Sequence, residues 1–468
     1  MGALKSLAEL VTGAEGLAGT LCAQGTLNDI VEAVSDANPS VQHAAHATIR
    51  AVARESVGSA QAVIDAGVVE VIRSQLELVE PVSREHAVKT LNVLVAADPD
   101  LASDVMGGDM LEVMVKLLEI RPVKPGFKDA IAATISDTCA HGEEFALAVV
   151  NSGSVPTLWK AATLSEHEPI VLAELLSCLS QICKYSKELA SHILEVPKSI
   201  SLPARHLSGQ NQRLRRSAAS LVYQQVKYEG RQCFDIVESG DIAGIVRFIQ
   251  LERHTPLEAT NAILALGHIA NVDTTLARAV GESGAVEELM GYSENTHEEE
   301  VLAAIGWMTT RIAVHGHQCA RPLAMKGMLG SLLATYAKVR EGGQAQNNLM
   351  EALVSIVENC ESHKALEALV HEDTPAQALD VILSELASAL RESVDARRSF
   401  VTSGAMLRLQ LLEPLLLGEG RRLLREINTL YPDQVVAYYR EGLAPLELDG
   451  EVPGVRGGAG AGAMEATA

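Results

Sequence analysis

The residues best suited to metal chemistry are His315-x-His317-x-Cys319, three side chains able to hold a soft divalent ion within one short segment. A structural zinc site needs four converging ligands, and alternate residues of a helix point to different faces. No second cluster supplies the missing ligands, so the segment reads as a helix end. His43 and His46 stand three apart and share a helix face. With no Cys or acidic residue beside them, they read as solvent-facing groups or a local cap. Cys178 and Cys183 lack zinc-knuckle spacing, and all seven cysteines lie scattered through apolar stretches. They read as small core hydrophobes in a reducing compartment, without a disulfide framework. Gly457-Gly-Ala-Gly-Ala-Gly462 follows no strand and opens no helix, so it is low-complexity sequence and not a nucleotide loop. Neither a Gly-x-Ser-x-Gly elbow nor a Gly-Lys-Ser/Thr loop occurs. The expectation is a binding protein and not an enzyme, with no catalytic residues, cofactor or metal.

Binding chemistry is better represented. Arg205, Arg213, Arg215 and Arg216 concentrate positive charge, as do Arg397-Arg398 beside Phe400 and Arg421-Arg422 with Arg425. The chain carries 38 Lys and Arg against 60 Asp and Glu, a net charge of −22. That balance argues against a nucleic-acid binder, which needs a basic face to displace counterions. Local arginine patches can still read acidic protein surfaces, tubulin among them, because screening limits each charge to about 8–10 Å. The alternative for these patches is a solvated helix face with internal ion pairs. Trp307 either anchors a partner or packs between helices. The candidate protein-binding residues are Arg213, Arg215, Arg216, Trp307, Arg397, Arg398, Phe400, Tyr438 and Tyr439.

The elements that position these residues follow from an internal repeat. Val63-Ile-Asp-Ala-Gly67 recurs as Val149-Val-Asn-Ser-Gly153, Ile236-Val-Glu-Ser-Gly240, Val280-Gly-Glu-Ser-Gly284 and Phe400-Val-Thr-Ser-Gly404, with weaker copies at Gly25, Gly108 and Gly327. Successive glycines lie 41 to 45 residues apart, the period of armadillo and HEAT arrays. Two units lack the glycine, and their turns fall near Val196-Pro197 and His371-Glu372-Asp373. Inside a unit the periodicity is helical: Val41, Ala45, Ile49 and Val52 form one apolar stripe, and Ala259, Ile263, Leu266 and Ala270 another. Gln42, His46 and Arg50 lie opposite the first. The glycine ends a short helix in the left-handed conformation, and two longer helices complete the unit. The expected fold is an all-α, armadillo/HEAT-type superhelical solenoid of roughly nine to ten ~42-residue repeats over residues 1–445, on the order of 100 Å long, with a C-terminal cap near 395–445.

Composition agrees, with 47% hydrophobic and only 3% aromatic residues. Residues 446–468 are too poor in large apolar groups to offset their ordering entropy and read as a disordered tail. No secretory signal or long apolar run is present, so a soluble intracellular protein is expected. Met1-Gly2-x-x-x-Ser6 fits an N-myristoylation pattern, although a helix beginning at Ala3 explains it equally.

Three segments carry a family resemblance: Leu366-Glu-Ala-Leu-Val-His-Glu-Asp-Thr-Pro375, Asp395-Ala-Arg-Arg-Ser-Phe-Val-Thr-Ser-Gly404 and Ile427-Asn-Thr-Leu-Tyr-Pro-Asp-Gln-Val-Val-Ala-Tyr-Tyr439. With Ala303-Ala-Ile-Gly-Trp307 and Ile49-Arg-Ala-Val-Ala-Arg54, they resemble the armadillo proteins of the ciliary and flagellar central apparatus, the sperm-associated antigen six and paralysed-flagella family. The chain is about one repeat shorter than that family and reads as a divergent paralogue. The resemblance implies a structural scaffold of the axoneme that binds the central-pair microtubule and neighbouring armadillo subunits in a large assembly, itself able to self-associate. It places the protein in the cytoskeleton of the cilium or flagellum, with neither nucleic acid nor membrane as partner. The alternative is a cytosolic, catenin-like adaptor holding an extended peptide in its groove. The Trp and Asn ladder of the importin type is absent, since Trp307 is followed four residues later by Arg311 and Trp159 by Thr163.

Overall fold

The computed structural model describes residues 2–441 apart from 14–15, 24, 78–80, 120–124, 197–198, 200 and 229. Among these it contains thirty-one α-helices and one short 3-10 helix, with no strand. The chain divides into two compact units, Met1–Val272 and Asp273–Ala468. The expected tail at 446–468, with its glycine-rich run, lies outside the described residues, as does the turn at Pro197.

In the first unit the long helices Gly2–Gly13, Pro39–Ala53, Pro81–Ala97, Pro125–His141, Pro169–Cys183, Gln212–Tyr228 and Pro256–Ala270 each pack on the next. Two short helices join successive rungs of this ladder, as Val57–Asp65 and Val68–Glu77 do. The repeat is therefore two short helices and one long one, where the sequence suggested one short and two longer. The difference is physical: the long helices make the most extensive contacts with their equivalents in both neighbouring repeats and must present two broad faces, while the short helices touch theirs over less length.

The local signals behind each helix are repeated with the repeat. Asn38, Ser56, Asp98 and Ser186 accept a backbone N–H two or three residues ahead, satisfying a donor that the first helical turn leaves open. Pro39, Pro169 and Pro256 begin long helices, where the missing N–H costs no hydrogen bond. All eight glycines that set the period have positive φ, from 68° at Gly108 to 90° at Gly327. At Gly284, where φ is 88°, no heavy atom lies within 4 Å of the place a Cβ would take, so backbone conformation alone demands glycine there. The carbonyls at long-helix C-termini are capped from the next repeat. His141 Nε2 lies 2.7 Å from Val95 O, Tyr185 Oη donates to Cys139 O at 2.6 Å, and Tyr228 Oη donates to Lys184 O at 2.9 Å.

The second unit follows the same plan with the long helices Glu299–Ala313, Gln344–Asn359, Ala376–Glu392 and Gly418–Asn428. One repeat is contracted: between Gln344–Asn359 and Ala376–Glu392 lies only the five-residue helix His363–Glu367. The glycine missing near His371 therefore marks the loss of a short helix as well as a changed turn. Helices Val394–Thr402, Ala405–Leu411 and Gly418–Asn428 make a further full repeat, and Asp433–Arg440 packs on Ala405–Leu411.

Apolar stripes form the core as the periodicity requires. Ala45, Ile49, Val52, Ala259, Ile263, Leu266 and Ala270 are fully buried, while Val41 is half-buried. At Gly306 two long helices meet backbone to backbone: an added Cβ would stand 2.8 Å from Asn348 C and 2.9 Å from Asn348 O and Leu349 N. Across this contact Asn348 Nδ2 donates to Ala303 O at 2.9 Å. Gly306→Ala should therefore force two backbones apart and lower unfolding stability by about 2–4 kcal/mol. Gly330→Ala, on a helix of the same unit with no atom within 4 Å, should be neutral or stabilising by up to about 1 kcal/mol. Urea unfolding of both variants beside the wild type checks this, and equal behaviour would contradict the close-approach argument.

Candidate protein-binding surfaces

The arginines of helix Gln212–Tyr228 are turned mainly inward. Arg215 is buried and donates to Gly209 O and Gln210 O at 2.9 and 3.0 Å and to Glu252 Oε1 at 2.8 Å. Arg216 donates to Glu252 Oε2 at 2.8 Å, to Glu258 Oε1 at 2.9 Å and to Thr255 Oγ1 at 3.0 Å. Glu252 is 1% exposed. Burial alone would raise its carboxyl, but hydrogen bonds from Arg216, Thr255 and Arg215 hold it below the usual range. This triad joins two repeats, so Arg215 is not offered to a partner. Arg213 pairs with Glu174 yet keeps an exposed side chain.

Trp307 is half-buried on helix Glu299–Ala313, with the Arg311 guanidinium over its ring at 5.5 Å. Arg311 also reaches Glu351 of the next long helix at 3.5 Å. Trp159, by contrast, is buried and donates from its ring nitrogen to Ile193 O at 3.1 Å.

At the C-terminal end Phe400 and Tyr439 are fully buried. They hold the last repeat together and do not face outward as docking groups, because both lie on the packed side of their helices. The Phe400 ring lies parallel to Tyr431 at 6.4 Å, and Tyr431 Oη donates to Arg397 O at 3.1 Å. Arg397 caps helix Ala376–Glu392, donating to Leu390 O at 2.6 Å. Tyr438 is half-buried against the edge of Tyr439. Arg398 is exposed, and among the described residues its side chain has no ionic partner.

The histidine positions need correction. His46 is fully buried and not solvent-facing. Its Nε2 lies 3.1 Å from Gln75 Oε1 and its Nδ1 3.0 Å from Thr90 Oγ1, while Gln75 Nε2 donates to Val34 O at 2.5 Å and Arg50 Nη1 to Thr90 Oγ1 at 3.2 Å. A neutral ring with Nε2–H donating to Gln75 leaves Nδ1 as an acceptor that shares the single Thr90 hydroxyl proton with His86 O, 2.9 Å from Thr90 Oγ1. His43 stays exposed with its ring tilted 41° against that of His86, centroids 3.9 Å apart. His317 is exposed while Cys319 turns into the core, its sulfur 3.8 Å from Thr274 O, so that segment splits between surface and interior. Six of the seven cysteines are buried, and burial pushes the Cys139 and Cys233 thiols up to about 12, as expected of inert core groups.

Sequence reasoning missed Glu252 as the centre of a buried triad, and it missed His46 as a core group. The signal was weak: their partners lie 29 to 44 residues away, in the neighbouring repeat but not at one fixed spacing. It also passed over Arg50 and Arg54, four apart on one helix and without a carboxylate between them.

Two measurements follow. Glu252→Ala leaves the buried Arg215 without its counter-ion and Arg216 with Glu258 alone, and should destabilise the fold by about 3–5 kcal/mol in chemical unfolding; a loss below about 1 kcal/mol would mean that the triad is solvated. Burial lowers His46 to about 3 from an ordinary value near 6.5, with His86 lowered to about 4. The folded state therefore prefers the neutral rings: their stabilisation is complete above about pH 6.5 and is lost as pH falls toward 4 and then 3. The His46 contribution has a slope of about 1.4 kcal/mol per pH unit in that window. His46→Gln should flatten the decline between pH 6 and pH 4 in a thermal-unfolding series, and an unchanged decline would locate it elsewhere.

No protein-family model matches the chain. Over 155 residues it is 30% identical to human sperm-associated antigen 6, a match covering 32% of this chain and 30% of that protein. The mouse protein of the same name is 29% identical over the same length and coverage. The chain thus spans about a third of the length of the curated relatives it matches. The crystal structure of an engineered protein superposes with a TM-score of 0.67 at 19% identity, covering 92% of this chain and 94% of that one, which bears on fold alone. A designed armadillo repeat protein gives a TM-score of 0.46 at 16% identity over 52% of this chain and 99% of its own. By fold the chain is an all-α solenoid of armadillo-type repeats, and across a third of its length it is similar to sperm-associated antigen 6 as a diverged relative.

Proposed function

We propose that the protein is a structural scaffold of the motile cilium or flagellum, attached to the central-pair microtubule and to neighbouring armadillo subunits. The observation that carries this reading is the 30% identity to sperm-associated antigen 6 across 155 residues. The fold suits the role: each repeat adds surface, so affinity can be spread over many contacts. Within this reading the contacts outward come from the exposed cations Arg213 and Arg398 and from the accessible parts of Trp307, Arg397 and Tyr438. Arg215, Phe400 and Tyr439 act by holding the repeats that present them. Arg216 belongs mostly to the internal triad.

The test is placement in the cell. A tagged copy should remain with axonemes after detergent extraction from wild-type flagella and be lost from axonemes of a mutant lacking the central pair. Release by detergent in both strains would overturn the axonemal reading and leave a cytosolic adaptor as the account of the same solenoid.

A further inference from the structure

The first unit contains a pair of arginines that differs from those around Glu252. Arg50 and Arg54 lie one turn apart at the end of helix Pro39–Ala53. Arg50 Nη1 donates to His86 O at 3.3 Å and to Thr90 Oγ1 at 3.2 Å, both neutral acceptors. Arg54 is exposed. Among the described residues neither guanidinium forms an ion pair, whereas Arg215 and Arg216 share Glu252.

Three nearby acids are already engaged, while Glu9 stands on the cleft lining without an ion pair to either arginine. Glu55 accepts Gly16 N–H at 2.8 Å and Ala18 N–H at 2.9 Å, capping the helix Leu17–Ala23. Asp137 accepts from Asn92 Nδ2 at 2.7 Å, and Glu85 takes Lys89 at 2.7 Å. Burial, with Arg54 adding repulsion, lowers Arg50 to about 10. A half-buried guanidinium without a counter-ion costs stability, and an incoming anion would relieve that cost.

Space is available for such an anion. A cleft of about 470 Å³ lies between helices Gly2–Gly13 and Pro39–Ala53, with Arg50 and Arg54 on its wall and Ala8, Ala47 and Ala51 as its floor. A second cleft, also about 470 Å³, adjoins it across Arg54 and is lined by Ala53, Asn92, Val93 and Ala96. The two clefts share Arg54, and a chain spanning both as one trench would meet mostly small residues. Among the described residues Glu9 is the one acid on the lining.

Geometry selects the class of anion. Two residues four apart on a helix rise about 6 Å, and alternate side chains of an extended chain stand about 6.6–6.8 Å apart on one face. Among the described residues no aromatic ring lines either cleft to stack a base. We propose that the trench at Arg50 and Arg54 binds an extended acidic peptide of a protein partner, whose carboxylates at alternate positions each reach one guanidinium. This assignment rests on one face of the first unit and is independent of where in the cell the protein acts.

The full chain would be titrated against fluorescein-labelled Gly-Glu-Ala-Glu-Ala-Glu-Gly and its Gln-for-Glu counterpart, with anisotropy as the readout. The acidic peptide should bind saturably, and the Gln peptide at least about tenfold more weakly. Arg54→Glu, at an exposed position, should weaken binding by about tenfold or more with circular dichroism unchanged. Arg54→Lys should retain part of the affinity, and Arg421→Glu, in the other unit, should leave it intact. Inorganic phosphate matched in ionic strength should not compete beyond its salt effect. The proposal fails if binding is absent, if Arg421→Glu weakens it as much as Arg54→Glu, or if phosphate or a single-stranded oligonucleotide displaces the peptide specifically.

Discussion

No repeat in this chain can bury its own apolar stripe; each long helix is stable because an equivalent helix lies against it one repeat away. That constraint explains features that look unrelated. Gly306 is needed because two backbones meet beside Asn348, and an alanine would already intrude. Tyr185 and Tyr228 reach back to carbonyls that end the preceding long helix, so the end of one rung is completed by the next. Polar residues are drawn into the same contacts. His46 bridges Gln75 and Thr90, and Glu252 holds Arg215 and Arg216, each across a repeat boundary. Stability is therefore local and sequential, and a defect at one boundary weakens the neighbours it joins before it reaches distant repeats.

The same constraint decides what could be read from the sequence. The glycine period was legible because a left-handed turn restricts residue type so strongly that its spacing survives divergence, as at Gly67, Gly240 and Gly404. The apolar stripes were legible because burial fixes Ile49 or Leu266 at helical spacing. The fate of the polar residues was not. His46 and Arg215 occupy positions that look solvent-facing on an isolated helix, and only the neighbouring long helix covers them. Their partners are 29 to 44 residues away, a separation that periodicity within one helix does not contain. Phe400 and Tyr439 were misjudged for the same reason, since aromatic side chains in a terminal repeat look available until the packing of that repeat is known. Prolines at the starts of long helices and Asx or Ser caps at the starts of short ones recur with the repeat, and they would have marked the two-short, one-long pattern. The contraction around His363–Glu367 left only a missing glycine, which signals a changed turn but not a lost helix.

Placement of charge separates scaffold from surface. With 60 acids and 38 basic residues, most buried or half-buried cations can find a carboxylate, and Arg216, Arg311 and Lys326 do so across a repeat boundary. Such pairs add register more than net energy, because desolvation offsets much of the attraction. Arg50, like Arg397 and Arg408, does not find a carboxylate among the described residues. Its hydrogen bonds go to a carbonyl and a hydroxyl, which orient the guanidinium without neutralising it. Glu9 and Glu55 are near in the fold, yet Glu55 is held by two backbone N–H groups and cannot turn toward Arg50 without uncapping a helix. An orienting contact that leaves charge uncompensated stabilises the fold less than an ion pair would, but it leaves the site ready for an external carboxylate at little reorganisation cost. The two kinds of arginine thus divide the work: those around Glu252 fix one repeat on the next, and those at the end of Pro39–Ala53 leave a fixed positive edge open to solvent.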